Sequence, residues 1–323
     1  SSCSIDGSHT LPANIDAGLT DPTGPNGQTT ISYTGRSCYD PIGKQMWGAG
    51  ADHGGRLHLW QYDLATNAFA PPAAAAVAGN GSVHGYQHSA CDPATGDRYV
   101  VLMGTSELRK WNGTAFAALA SMPYRTGGAL IATAAEWWPG KGLAWISGNR
   151  QECRVWNPAT GTWSALGSPA PLTPYIGVYH NVCAYSDKHN CIVHGGGGGG
   201  AAPLNPGTPY SLNRPLYRLD ANGSNAKIAD APYHVGIFSG MQLCGDGAGE
   251  WLLIGNDNAI GTNANECYKL IATGAIGRVA DPPASMMTPH RHATTVVAGD
   301  GWMAWLEYDR NRTPRARMFV RKA

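Results

Sequence analysis

The chain has 323 residues, a formal net charge of +1 and only 14% charged residues. Without a basic stripe or an acidic tail, it is not typical of a nucleic-acid-binding protein. No run of 18 apolar residues predicts a membrane-spanning helix. Gly occurs 43 times and Pro 22 times, and apolar residues do not keep a helical spacing over three turns, so we expect few helices. The best helix candidate is the Ala-rich segment 71–79.

Six segments of the chain resemble one another. Each begins at the end of one strand, passes through a polar turn and enters an apolar strand that usually stops at Gly. A self-similar period of roughly 40–55 residues predicts a propeller or a solenoid. The segments are 38–50, 91–104, 135–148, 183–196, 244–255 and 297–307.

The second repeat shows the unit most clearly. Its four strands are predicted at 88–91, 98–103, 107–111 and 115–120, and Pro and Gly lie in the turn between the first two. Antiparallel strands this short cannot bury a core alone, but blades packed face to face can. The third strand of the unit recurs at 57–63, 153–158, 216–220, 267–271 and 316–320.

We therefore expect an all-β fold, a β-propeller with six blades of four-stranded antiparallel sheets. Seven blades would result if two repeats have been merged. The last repeat has only three strands, so a fourth is expected from the N-terminal arm, within 10–17, which would close the ring. The predicted organisation is an N-terminal arm and closing strand at 1–27, followed by a single propeller domain at 28–323.

The eight cysteines do not form an obvious disulfide set. Cys38, Cys91, Cys183 and Cys244 are predicted at one place in four repeats, and Cys153 and Cys267 share another place, after Glu. We interpret them as small buried hydrophobic residues. A disulfide between Cys183 and Cys191 across one hairpin stays open, and Cys3 could pair or be free, so the redox compartment is unresolved.

Three Asn-Gly pairs match the glycosylation sequon, at Asn80, Asn112 and Asn222. Asn-Gly is also the preferred pair of tight hairpin turns. We interpret all three as turns.

Meander topology places the connections between successive blades at the same end of the sheets as the loops between second and third strands. These connections are rich in Tyr, His and Arg, and the long Gly-rich insertion 195–214 lies at the same end. A polar and aromatic concave rim suits sugars, because rings stack on pyranose faces while Arg, Asn and Asp bind hydroxyls. The predicted ligand-binding residues are Tyr33, Arg36, His53, His84, His88, Tyr124, Arg125, Asn149, Arg150, Tyr175, His180, Tyr233, His234, Asp257, His290 and His292.

Recognition of a saccharide or cell-surface glycan is thus the first functional hypothesis. We expect no cofactor, no bound metal, no nucleic acid and no membrane span, and we expect an extracellular or surface-exposed location. Protein assembly partners are a further expectation.

The repeat resembles the Kelch-like propellers, including the propeller of galactose oxidase. The resemblance lies in Tyr39-Asp40-Pro41, in Asp92-Pro93, and in the spacing of Asp or Asn to Thr at 63–66 and 157–160. The Gly-Gly pair that ends the second strand in that family is found only within 195–200. Proteins of this kind include virion appendages and secreted bacterial proteins.

The resemblance also implies two catalytic alternatives. Some similar propellers are polysaccharide lyases, in which a His/Tyr pair and an Arg act on a uronate. The candidates here are His180, Tyr175, Tyr233, Arg150 and Arg125. The second alternative is a copper site, because Tyr233-His234 is similar to the adjacent copper ligands of galactose oxidase, with a further ligand from His290 or His292.

Overall fold

Every regular element that the structure describes is a β-strand. No helix in this part of the chain is long and apolar enough to cross a bilayer. The structure is a computed structural model. It describes residues 5–6, 31, 37–50, 58–74, 87–102, 107–122, 133–147, 152–166, 181–196, 214–232, 239–243, 247–255, 266–279, 294–299, 302–308 and 316–322.

The strands form four-stranded antiparallel sheets in a β-propeller arrangement, which confirms the predicted fold class. Five sheets are meanders of four consecutive strands, so the structure has five such blades where six were expected. The remaining sheet is composite. Its order, β1-β24-β23-β22, joins three strands near the end of the sequence to one near its beginning.

The described strands fall into two compact units. The first comprises Ser1–Ala129 and His290–Ala323 and contains two meander blades and the composite sheet. Its strands are β1 (Ile5–Asp6), β2 (Cys38–Asp40), β3 (Gln45–Gly50), β4 (His58–Asp63), β5 (Ala68–Ala74), β6 (Ser89–Cys91), β7 (Arg98–Val101), β8 (Leu108–Trp111), β9 (Phe116–Ala118), β22 (Thr294–Gly299), β23 (Trp302–Tyr308) and β24 (Ala316–Lys322).

The second unit is Leu130–Pro289 and contains three meander blades. Its strands are β10 (Thr133–Trp138), β11 (Gly142–Ser147), β12 (Glu152–Asn157), β13 (Thr162–Ala165), β14 (Asn181–Ser186), β15 (Cys191–Gly196), β16 (Pro215–Asp220), β17 (Asn225–Asp230), β18 (Ser239–Leu243), β19 (Trp251–Gly255), β20 (Glu266–Leu270) and β21 (Ile276–Arg278).

The first strands of neighbouring blades contact one another. In the second unit β14 contacts both β10 and β18, and in the first unit β2 contacts both β22 and β6. Cys183 Sγ lies 3.8 Å from the Ala135 carbonyl, and the Tyr185 N–H donates to Glu136 Oε2 at 3.2 Å. The later residue of β14 thus contacts the later residue of β10, so the two strands run in the same direction.

The core lies between the blades. One cluster joins the sheet β10–β13 to the sheet β14–β17 through Trp138, Ile146 and Ile192, all buried. Another joins β14–β17 to β18–β21 through Val193 and Trp251. Alternate residues of one strand therefore face different neighbours, as period-two side chains require. The blade β14–β17 is therefore buried on both faces.

The turns within blades form as the sequence predicts. Asp92 Oδ1 accepts the N–H of Ala94 at 2.9 Å, and Gly96 has a φ of 74° that favours Gly. Asn112 Oδ1 accepts the N–H of Thr114 and Asn222 Oδ1 accepts that of Ser224. The interpretation of Asn112 and Asn222 as turn residues is confirmed, whereas Asn80 lies outside the described residues.

The helix candidate at 71–79 is wrong over its described part, because residues up to Ala74 belong to β5. The strand is the outermost of its sheet, and its pairing with β4 shifts register between Leu59 and Gln61. Pro has no N–H to donate, so the consecutive residues Pro71 and Pro72 are tolerated in an edge strand whose register is irregular. Residues 75–79 lie outside the described part.

The N-terminal strand is at Ile5–Asp6, where it pairs with β24; the expected segment 10–17 lies outside the described residues. The disulfide left open between Cys183 and Cys191 does not form, since both thiols are free. Cys183 pairs with His194 and Cys191 with Ser186. The two cysteines also face different neighbouring blades.

The predicted equivalence of the first-strand cysteines fails as well. Cys38 opens β2, Cys91 ends β6, and Cys183 is the third residue of β14. Cys153 and Cys267 are equivalent as predicted, because each is the second residue of a third strand. Cys3 and Cys244 lie outside the described residues.

Candidate functional site

Two ends of the sheets are defined by the strand order. We use "lead-in end" for the end at which each first strand begins, and "turn end" for the opposite end, where tight turns join first to second and third to fourth strands. In an antiparallel meander, the second strand ends and the third strand begins at the lead-in end. The segments 148–151, 197–213 and 256–265, which link second to third strands in the second unit, therefore leave from its lead-in end.

Of the predicted ligand-binding residues, the structure describes one, His88. The others belong to the segments that flank the described strand ends. The predicted residues outside the described ranges are Tyr33, Arg36, His53, His84, Tyr124, Arg125, Asn149, Arg150, Tyr175, His180, Tyr233, His234, Asp257, His290 and His292.

His88 lies at the lead-in end of β6 and is 1% exposed. Its carbonyl accepts the N–H of Val101 at 2.9 Å, so the residue is level with the end of β7. Gln87 and Ser89 beside it are also buried, as is Asn181 at the lead-in end of β14. Polar side chains are seldom enclosed without hydrogen-bond partners. Polar side chains are thus enclosed at the lead-in end of β6 in the first unit and, separately, at that of β14 in the second.

The turn end is built differently. Asp40, Asp63, Asp92 and Asn157 accept backbone N–H groups two residues ahead, at 2.8 to 2.9 Å. Their side-chain oxygens are used to fix the turns. This agrees with the interpretation that these turns carry structure.

One charged group at the turn end is buried. Arg98 Nη2 donates to Asp40 Oδ2 at 2.9 Å, and its guanidinium also donates to Gln45 and Gln61. The side chains of Arg98 and Asp40 are 8% and 6% exposed. Because the donors of Arg98 are already engaged with the neighbouring blade, this arginine is a contact between blades and offers little to a ligand. No local pattern in the sequence predicts this contact, since its partners are far apart along the chain.

His194 bears on the lyase hypothesis as a possible second catalytic histidine. It lies within β15, is 1% exposed and stacks on Tyr217 with ring centroids 5.6 Å apart. Its Nε2 is 3.0 Å from Asn225 Oδ1, and burial lowers its pKa to about 4. The imidazole is therefore neutral at pH 7 and enclosed, which does not suit a base that must reach a polymer.

The buried thiols are poor nucleophiles and metal ligands. Burial raises the pKa of Cys153 to about 12 and that of Cys191 to about 11. Nucleophilic attack and metal binding both need the thiolate, which these thiols rarely form. No three His, Cys, Asp or Glu side chains among the described residues lie together as a metal site. The copper ligands suggested by resemblance, Tyr233, His234, His290 and His292, lie outside that part of the chain.

No protein-family model matches this chain, and no curated protein is similar enough to count as a relative. The resemblance to Kelch-like propellers therefore rests on the propeller arrangement and on the turn motifs. It stays a hypothesis at the level of the family.

Proposed function

We propose that this protein recognises a saccharide, such as a cell-surface glycan, at the lead-in end of its blades, and does so without turnover. The binding residues would come from the Tyr, His and Arg residues of the segments before each first strand, and from the loops between second and third strands. His88 would support this surface from below, because it is enclosed.

The shared direction of neighbouring first strands carries this proposal. In the second unit, Cys183 and Tyr185 of β14 meet Ala135 and Glu136 of β10 in the same order. The segments before these strands must then approach from one end. Tyr175 and His180 precede β14 by a few residues, and Tyr233 and His234 precede β18.

The first unit follows the same rule. Asp40 at the end of β2 meets Arg98 at the beginning of β7, so β2 and β6 both finish at the turn end. Tyr33 and Arg36 precede β2, and His84 precedes β6. Within each unit, these aromatic and cationic residues would therefore belong to the end of the sheets at which the rim is proposed.

The chemistry of these residues favours a neutral or weakly acidic sugar. Aromatic side chains offer flat apolar faces, and Arg, His and Asn donate hydrogen bonds to hydroxyl and carboxyl groups. The net charge of +1 offers no long-range attraction for a polyanion. Specificity would come from contacts at short range.

We further propose that β1 serves as a closing strand, which completes the sheet of the first unit that contains β22, β23 and β24. The pairing of β1 with β24 supports this, since it gives the three-stranded repeat the fourth strand that the other sheets have. A secreted or virion-surface location, and assembly with protein partners, are part of the same proposal.

Polysaccharide lysis is the competing function that this proposal must exclude. A glycan array identifies the ligand, and absorbance of unsaturated uronate on uronate-containing polysaccharides detects elimination. We expect binding without a gain in absorbance. A gain that disappears in His180→Ala would replace the binding proposal with lysis, and absence of any saccharide ligand would end both.

A further inference from the structure

Asn112 and Asn222 lie in nearly identical sequences, Asn-Gly-Thr and Asn-Gly-Ser, and both Asn side chains are exposed in tight turns. In such pairs the backbone nitrogen of Gly can attack Cγ of Asn. The two turns differ in how they hold that nitrogen. This difference concerns a covalent modification and does not depend on the proposed function.

The nitrogen of Gly223 is protected. Its N–H donates to the Asp220 carbonyl at 2.9 Å, and Gly223 is buried. To attack, this nitrogen must give up its hydrogen bond and lose its proton in a site that hydroxide reaches poorly. An ordinary hydrogen bond must therefore be broken before the reaction begins.

The nitrogen of Gly113 is accessible. Gly113 is exposed, and a methyl group added at its Cα would meet nothing within 4 Å. Among the described residues its N–H makes no hydrogen bond to a backbone carbonyl. Solvent can thus remove its proton, and the turn has room for the new ring.

The carbonyl of Asn112 is also the better electrophile. Its Oδ1 accepts the N–H of Thr114 at 3.0 Å and that of Ala115 at 2.8 Å, whereas Asn222 Oδ1 accepts only the N–H of Ser224, at 2.9 Å. Two donors stabilise the negative charge that develops on this oxygen in the tetrahedral intermediate.

We propose that Asn112 is the deamidation site among these two turns. The Gly113 nitrogen loses its proton to hydroxide and bonds to Cγ of Asn112. The side-chain nitrogen then takes up a proton from water and leaves as ammonia, which gives a succinimide. Water then opens the ring at either carbonyl, to aspartate or isoaspartate. Either product adds a negative charge between β8 and β9, and isoaspartate lengthens the backbone of that turn.

The test is peptide mapping by mass spectrometry after incubation in mildly alkaline buffer, on protein made in a bacterial host so that neither sequon is glycosylated. In the folded protein we expect Asn112 to react at least about five-fold faster than Asn222, the factor that corresponds to one ordinary hydrogen bond. In urea the two rates should become similar, because the local sequences are alike.

Asn112→Gln serves as the control, since attack on Gln needs a less favoured ring, and it should abolish the modification at this turn. Equal rates in the folded protein, a faster rate at Asn222, or no reaction at either turn would overturn the proposal. A preference for Asn112 that persists in urea would also overturn it, because the cause would then be sequence and not the fold.

Discussion

Arg98, the first residue of β7, donates a hydrogen bond of 2.9 Å to Asp40, the last residue of β2 in the neighbouring blade. Both side chains are more than nine-tenths buried. Asp40 also accepts the N–H groups of Ile42 and Gly43 at 2.9 Å, so one carboxylate fixes a turn and joins two blades. An enclosed and fully bonded ion pair is costly to break from one side.

Arg98→Ala should lower the free energy of unfolding by about 3 kcal/mol or more, because it leaves the Asp40 carboxylate enclosed without its cation. Asp40→Asn is a milder change and should lower the free energy of unfolding by a smaller amount. Urea unfolding of both variants measures the effect. The matched control is Lys227→Ala, which removes an ion pair whose side chains are 48% and 55% exposed and should cost less than about 1 kcal/mol. Equal effects at the two pairs would contradict this account.

Substitution by alanine should destabilise the fold at one strand glycine, Gly48, and have little effect at another, Gly277. A Cβ at Gly48 would lie 2.8 Å from Trp60 Nε1 and 2.5 Å from Ser37 Oγ, both in buried residues, so Gly48→Ala should destabilise the fold by about 1–3 kcal/mol. A Cβ at Gly277 would meet nothing within 4 Å. Gly277→Ala should therefore be neutral within about 0.5 kcal/mol. Thermal unfolding of the two variants compares them directly. A Gly48→Ala variant as stable as the natural chain would contradict the close packing of Trp60 and Ser37 around Gly48.

His194 should make stability depend on pH. Its pKa is about 4 in the folded protein because burial disfavours the cation, against about 6.5 in an unfolded chain. As the pH falls through this window, the unfolded chain binds a proton that the folded chain does not, so the free energy of unfolding decreases. The contribution is fully present above pH 6.5 and is lost by pH 4. It amounts to at most about 3 kcal/mol.

Urea unfolding between pH 7.5 and 4 tests this with His194→Gln, which keeps a donor for Asn225 and does not titrate. The difference between the natural chain and the variant should shrink or change sign as the pH falls. Parallel pH profiles would show that His194 is not the group responsible.

The pairing of β1 with β24 gives a prediction about the N-terminus. Removing residues 1–6 deletes the two residues that pair with Val320 and Arg321, and should cost about 1–3 kcal/mol, since a few backbone hydrogen bonds at about 1 kcal/mol each are lost. Removing residues 1–4 spares β1 and is the control. Equal stability of the two truncated chains, measured in urea, would argue against β1 as a closing strand.

The strands and turns within a blade could be predicted from the sequence, because they depend on residues close together in the chain. Strands near 98–103 and 107–111 were expected, and they lie at Arg98–Val101 and Leu108–Trp111. Turn chemistry and alternation depend on neighbouring residues, so they can be recognised from the chain itself. The Ala-rich segment failed because pairing with β4 outweighs the weak helix preference of alanine beside two prolines.

Contacts between blades could not be predicted in the same way. Trp251 donates from its indole to the Ala184 carbonyl at 2.9 Å. Arg98 donates instead to the Asp40 carboxylate of the neighbouring blade, although Trp251 and Arg98 each open the second strand of their blade. The first residue of the second strand thus bonds to the neighbouring blade in both cases, through a tryptophan in one and an arginine in the other. For the candidate site, meander topology predicts one end of the sheets, and this stays a prediction because among its residues only His88 falls within the described ranges.

Calorimetric titration with the saccharide that the array identifies tests the central claim most directly. Tyr175→Ala and Arg150→Ala change the lead-in end, and Ile42→Ala with Leu64→Ala changes the two large apolar residues that are exposed at the turn end. We predict that each lead-in variant weakens binding at least about ten-fold, equivalent to about 1.4 kcal/mol, while the turn-end variant binds as the natural chain does. Unchanged affinity in both lead-in variants, or loss of binding in the turn-end variant, would contradict the account.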